Sequence, residues 1–357
     1  MGCDNYKQAQ VRTGYEAIVG QRTKSLFCLT AKKNGKVISI TDKGIIVEYE
    51  DGEKVGARLG RQFGHHEGST YPHDVITTLK EGDKVLAGHA ICYNPSFFEP
   101  DFFDNKFVVF KTSLTAKTVL WESSQTYEDS SALSRDFANK LETKTTKVKS
   151  IVISFSQNIR NIHKLGVIKY GEPYLLIEDE VTSNTDIFSD ENAETLKALA
   201  RNSPTCKYNG TLDKIEVFYH GEKEDMSESL RKLANESDRI LKHECISSNR
   251  SVINGNVNSD YRVDGNPLLL DSAEIKIYVT VSNSAGVGDK GVFSNQLKSV
   301  FGQVMETPMY TEDNEKIDAV FGSRSIAARI VLSSDIIGTT TTILKKIAAK
   351  AVEMFET

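Results

Sequence analysis

Two lysines eight residues apart, Lys290 and Lys298, border a glycine-rich turn, Gly286-Val287-Gly288-Asp289-Lys290-Gly291. Glycine lets a backbone turn sharply and approach a ligand closely. Lysine is a compact charge suited to phosphate. At ~4 Å and an effective dielectric of about 20, one opposite-charge pair is worth roughly 4 kcal/mol before desolvation. Such a pair of lysines could grip a phosphodiester end and an incoming phosphate, but the same spacing also describes ordinary surface lysines. Far upstream, Glu128 and Asp129 follow the aromatic Tyr127. Adjacent carboxylates on a loop can share a hard divalent cation, directly or through water. They equally suit a turn or a helix cap. Arg329, after Ser325-Ile326-Ala327-Ala328, offers a planar fork for a triphosphate. Alone, an arginine there is more often structural.

Other chemistries find less support. Gly286 to Gly291 also satisfies GxGxxG, the dinucleotide-binding fingerprint, and follows a strand-like run. That fingerprint requires a helix next, and Val292 to Val304 is a poor helix outside any βαβ pattern. The five cysteines, Cys3, Cys28, Cys92, Cys206 and Cys245, are scattered and lack CxxC spacing, which disfavours zinc and a disulfide framework. Gly64-His65-His66-Glu67 is the densest histidine group and reads as a polar loop. The formal net charge is −5, unlike the basic balance of a free-standing nucleic-acid binder. Any nucleic-acid contact must then be local, or other chains must supply positive charge. The lysines between Lys140 and Lys149 read as a solvated face.

The elements that would position these residues are mostly strands. Lys36 to Ile40 and Gly44 to Tyr49 are short apolar runs around the turn Thr41-Asp42-Lys43, and Asp51-Gly52 closes the second. Leu79 to Val85 and Asn105 to Phe110 continue the β character. Ser134 to Leu141 suits a short helix, and Lys147 to Ser154 a strand. Ser189 to Arg201 suits a helix. Thr211 to Tyr219 is a strand, followed by a polar helix over Met226 to Glu244. Only Leu230, Leu233 and Leu241 stripe that helix, so the pair reads as a protruding arm rather than core. Ser247 to Asn266 is a long polar loop. Glu274 to Val281 alternates strictly, which predicts a strand with one buried face. Ile317 to Phe321 is another strand. Thr342 to Phe355 is a helix with Ile343, Ile347, Ala351 and Phe355 on one stripe. No run is apolar and long enough to span a bilayer as a helix.

The motifs fall in an order that resembles the β subunit of cellular multisubunit DNA-directed RNA polymerases. Gly82-Asp83-Lys84-Val85-Leu86-Ala87-Gly88 resembles that family's GDKV-x-x-G turn, and Tyr127-Glu128-Asp129-Ser130 its YNFEDS. Leu133-Ser134-Arg135 is similar to LVSERV. Gly210 to Phe218 resembles the GTVIDVQVF strand that enters the flap. Ile277-Tyr278-Val279 and Gly288-Asp289-Lys290, with Lys298 eight positions on, resemble VYLA and GDKMAGRHGNKG. Met305 to Asp313 resembles EDMPYTEDG. Asp318-Ala319-Val320-Phe321 followed by Arg329 resembles DIVLNPLGVPSR. The resemblance spans roughly Tyr15 to Leu344, corresponds to the C-terminal part of a β subunit, and suits the split-subunit polymerases of giant bacteriophages.

The resemblance implies a mixed, β-rich α+β fold. It would have a double-psi β-barrel core, small barrel-like or hybrid-like elements and a flap-like arm. The implied segments are a barrel-like region over 1–114, a core-barrel segment with the Glu-Asp loop over 115–209, and the arm over 210–246. A double-psi segment with the two lysines follows over 247–341, then a C-terminal helix over 342–357. Lys290 and Lys298 would touch the RNA 3′ end and the incoming nucleotide's phosphates, and Arg329 the triphosphate. Glu128 and Asp129 would help place the second Mg²⁺, partly through water. The primary Mg²⁺ ligands, an NADFDGD triad, would lie on a partner β′-type chain. A β N-terminal fragment, DNA template, RNA, nucleoside triphosphates and a promoter-specificity factor would be further partners, and the location cytoplasmic with no membrane. The chain would act as an enzyme only within the complex. Ser294 stands where the family has arginine and Asn295 where it has histidine. These departures keep open a second reading, a non-catalytic β-rich nucleic-acid-binding or interaction subunit.

Overall fold

The computed structural model describes residues 3–124, 126–178, 203–329 and 332–356. The helix expected over Ser189 to Arg201 lies outside the described residues. The chain is a β-rich α+β protein. It divides into two compact units, one built from Met1–Cys28, Asn94–Thr143 and Asn283–Thr357, the other from Leu29–Tyr93 and Lys144–Ser282.

The second unit holds two larger sheets beside small two-stranded ones. A four-stranded sheet runs in the order Lys54–Arg58, Gly44–Tyr49, Gly35–Ile40, Lys84–Val85. Alternating Val37, Ile45, Val47, Tyr49 and Val85 bury against one another beneath it. A six-stranded sheet runs Gly166–Ile168, Gly210–His220, Ser272–Asn283, Thr143–Ser154, Ser69–Val75, Gly60–His66. His65 and His66 are therefore in a strand rather than a loop, and His65 Nδ1 pairs with its cross-strand neighbour Thr70 Oγ1 at 2.9 Å.

The expected protruding arm is core instead. Gly210–His220 is a central strand, paired with Ser272–Asn283 along most of its length. The Glu228–Ser247 helix, capped by the Ser227 side chain accepting from Leu230 N, sets fully buried Leu230 and Ala234 among Val217, Tyr219, Ile275 and Ile277. A thin apolar stripe suffices because small Ala234 and Ser237 lie beside the leucines, letting the helix approach closely; Ser237 Oγ accepts from Val217 N at 3.1 Å.

The one-faced strand is also corrected. Both faces of Ser272–Asn283 are covered: Ile275, Ile277 and Val279 on one, Glu274 and Tyr278 on the other. The second face is closed by polar pairing rather than apolar packing. Tyr278 donates to Glu216 at 2.7 Å, Lys214 reaches Glu216 at 2.8 Å, and Phe63 stacks on Tyr278 at 4.4 Å. Burial opposes the charge on Glu216, yet Lys214, the Tyr278 hydroxyl and Lys276 outweigh it and hold the carboxyl below its usual range.

The first unit is built on one five-stranded sheet. Its strands are β1 (Thr118–Leu120), β2 (Ser130–Ser134), β3 (Lys290–Phe293), β4 (Leu297–Met305) and β5 (Ala319–Phe321), in the spatial order β1-β5-β2-β4-β3. Pairs β1–β5 and β2–β4 are parallel, whereas β2–β5 and β3–β4 are antiparallel. Apolar clusters lie around Leu133, Phe137 and Phe301, and around Ala132, Ile317 and Val320. Helix α1 (Arg135–Lys140) starts where Ser134 accepts from Phe137 N at 3.2 Å. Helices α2 (Ser323–Arg329) and α3 (Leu332–Glu356) follow β5. The stripe expected on the C-terminal helix forms but stays uncovered within the chain, with Ile343, Ile347 and Phe355 all exposed. Among the described residues, no helix is long and apolar enough to cross a membrane.

Candidate functional site

The glycine-rich turn opens a β-hairpin. Gly288, with φ of 93°, adopts a backbone that side chains rarely reach, and its N–H donates to Phe301 O at 2.8 Å. The chain then enters β3, so the helix needed for a dinucleotide fingerprint is absent from this turn. Gly291 lies against the ring of Phe301, where an added Cβ would come within 2.4 Å of Cζ. That close approach seats the aromatic ring under the hairpin.

Hairpin register decides where the lysines point. Lys290 pairs with Val300, and Val292 with Lys298. Opposed residues share a face, as do residues two apart. Lys290, Val292, Lys298 and Val300 are therefore coplanar and exposed, while Leu297, Ser299 and Phe301 point inward and are buried.

The parallel neighbour brings in the acidic doublet. Ser130 pairs with Val300, so Ser130, Val300 and Lys290 form one row across three strands. With ~4.8 Å between neighbouring strands, the row spans roughly 10 Å. Val300 N donates to Asp129 O at 2.8 Å, fixing the loop that enters β2 to the lysine strand. Beneath it, buried Ser299 donates to Ser131 at 2.7 Å. Glu128 sits at φ 54°, a left-handed conformation uncommon for a residue with a side chain. Its carboxylate makes no hydrogen bond or ion pair among the described residues.

Helix α2 grips the same loop. Ser325 and Arg329, four residues apart, share a helix face. Buried Ser325 donates to Glu128 O, and Arg329 Nη2 donates to the Asp129 carboxylate. Arg329 Nη1 also reaches Lys298 O at 3.4 Å. The Asp129 and Arg329 side chains thus meet directly, Glu128 and Lys298 are held to α2 through their backbone carbonyls, and Lys290 lies on the neighbouring strand of the hairpin. The sequence reading missed Ser325 as a partner of the acidic loop. Its i, i+4 spacing from Arg329 was the available signal.

The hairpin turn itself is held from behind. Ser333 and Ser334, at the start of α3, each donate to Asn295 Oδ1 at 3.3 Å. Asn295 therefore tethers the turn, and Ser294 beside it has φ of 55°.

Among the described residues, no three His, Cys, Asp or Glu side chains gather as a metal cluster. The doublet offers at most two carboxylates, one of them already paired with arginine. Mg²⁺ keeps several waters and accepts one or two carboxylates, so the doublet fits a share in a cation site and not a self-sufficient one. No protein-family model and no curated protein sequence matches this chain.

Proposed function

We propose that this chain is the C-terminal part of a split β-type subunit of a multisubunit DNA-dependent RNA polymerase. The observation that carries the reading is convergence. The acidic doublet and the arginine, singled out with two lysines by the order of their motifs, join beside the β3–β4 hairpin that carries those lysines, although Asp129 and Arg329 are 200 positions apart. The mixture of parallel and antiparallel pairs across the five strands β1 to β5 also supports the expected double-psi β-barrel.

In this reading Lys290 and Lys298 hold the RNA 3′ end and the incoming nucleotide's phosphates. Arg329 turns from Asp129 to the triphosphate. Glu128 and Asp129 then supply carboxylate oxygens, partly through water, to the Mg²⁺ that accompanies the nucleotide. That ion would neutralise phosphate charge during in-line displacement. The chain's own contribution is positioning and positive charge. A β′-type chain with an NADFDGD-like triad, a β N-terminal fragment, DNA, RNA and a promoter-specificity factor complete the assembly, in the cytoplasm of the cell where transcription occurs.

Co-expression with the matching large-subunit fragments should yield template-dependent RNA synthesis. Changing Lys290 and Lys298 together to alanine should slow elongation at least tenfold (about 1.4 kcal/mol) while the complex still assembles. Normal transcription by that double variant would refute the assignment. One observation favours the second reading, a non-catalytic interaction subunit. Where the family carries arginine and histidine, Ser294 and Asn295 form a turn tethered to α3. A complete complex that binds DNA but makes no RNA would support it.

A further inference from the structure

A depression of about 450 Å³ lies beside the acidic doublet, lined by Glu122, Ser123, Ser124, Tyr127 and Arg324. Its walls are fixed from below. Buried Thr126 donates to Trp121 O at 2.7 Å and accepts from Ser123 N at 2.8 Å. Gly322 packs so closely on the same loop that a Cβ there would come within 2.3 Å of Thr126 O. Glu122 is the one acidic lining group, and its Oε1 accepts from Arg324 N at 2.7 Å and Ser323 Oγ at 3.4 Å. Its carboxylate is thereby committed to the start of α2. The Arg324 guanidinium is exposed and makes no ion pair among the described residues. Tyr127, 57% exposed, lines the same depression.

An aromatic ring, an uncommitted guanidinium and hydroxyl-bearing neighbours are the chemistry that recognises a base carrying phosphate. The volume falls in the range of small-ligand sites, about 300–1,000 Å³. We propose that this depression is a nucleotide subsite, in which Tyr127 stacks on the base and Arg324 holds a phosphate. The nucleotide is either a free nucleoside triphosphate or one residue of an RNA strand. The inference deepens the polymerase reading and rests on it for the fate of the nucleotide, but not for its binding.

The test is equilibrium binding to the full chain with ATP, inorganic tripolyphosphate and a hexaribonucleotide. Arg324→Ala should weaken ATP and tripolyphosphate about tenfold. Tyr127→Ala should weaken ATP by roughly 5- to 100-fold and leave tripolyphosphate unchanged, since that probe has no base. Tighter binding of the hexaribonucleotide, with the same losses, identifies an RNA residue as the occupant; tighter binding of ATP identifies the free nucleotide. Both side chains are exposed, so unchanged circular dichroism should accompany the losses, and Arg324→Lys should recover part of the phosphate affinity. No binding by the parent chain overturns the subsite. So does binding that only Lys298→Ala weakens, an outcome that leaves the polymerase reading standing. Transcription by the assembled complex tests that reading separately.

Discussion

Arg329 and Asp129 neutralise each other: the guanidinium donates to the carboxylate from one helical turn beyond Ser325, which holds the preceding residue's carbonyl. Asp129 is well exposed at 62% of its side chain and Arg329 partly so at 29%. Exposed ion pairs contribute about 0–1 kcal/mol. Asp129→Ala should therefore change the urea midpoint of the chain by no more than that equivalent, while RNA synthesis by the complex drops at least about tenfold. A large stability loss with normal synthesis would mean that the pair is purely structural.

Gly291 has no room for a side chain. A Cβ would meet Phe301 Cζ at 2.4 Å and Cε1 at 2.8 Å. Gly291→Ala should cost about 1–3 kcal/mol, the usual range for overpacking. Combining it with Phe301→Leu should recover part of the loss, because the smaller side chain vacates the contact. Chemical denaturation of the single and double variants measures this directly.

The buried hydroxyl pair Ser299–Ser131 should behave asymmetrically. Ser299→Ala strands the Ser131 hydroxyl without its 2.7 Å donor. The expected cost is about 1–3 kcal/mol. Replacing both serines by alanine removes the orphan, so the double variant should be no less stable than the single one. A double-mutant cycle reads the coupling, and strict additivity would argue against the bond.

His73 sets a pH dependence in the other unit. Burial pushes its ring below the ordinary 6.5, partly countered by Asp74. The unfolded chain therefore takes up a proton near pH 6.5 that the folded chain resists. The associated stability is complete above pH 6.5 and is lost as the pH falls from there through the lower folded value, with a slope of up to about 1.4 kcal/mol per pH unit. His73→Gln should flatten that window in denaturation curves taken between pH 7.5 and 5.5. A separate loss below pH 4.5, from the depressed carboxyl of Glu216, should remain.

Local patterns foretold local structure well. The runs around Thr41-Asp42-Lys43, the Ser134-capped helix and the alternating Glu274 to Val281 strand are all present. What could not be read locally was partnership. Nothing in Ser130–Ser134 announces a parallel neighbour at Val300–Met305, because such pairing depends on chain about 170 positions away. The Gly210–His220 strand and its helix looked peripheral because burial was judged from apolar residues alone. Their second face is closed by Lys214, Glu216 and Tyr278, which a hydrophobic pattern counts as surface. The acidic doublet, the lysines and Arg329 stand out by type and order, whereas Ser325 has no distinctive neighbourhood until α2 forms. Arg324 was passed over for the same reason.

The pairing of β2 with β4 also has a consequence for how the protein is made. On the ribosome, Glu128 and Asp129 emerge long before Lys290, Lys298 and Arg329, and residues 144–282 of the other unit are synthesised in the interval. Closing so long a loop carries an entropic cost and slows folding. The acidic loop must therefore wait, without its β4 neighbour, until residues 297–305 have been synthesised. Nascent fragments that stop before β4 lack Phe301 and the Val300 N–H that anchors that loop, so interrupted translation leaves the acidic loop without its sheet partner.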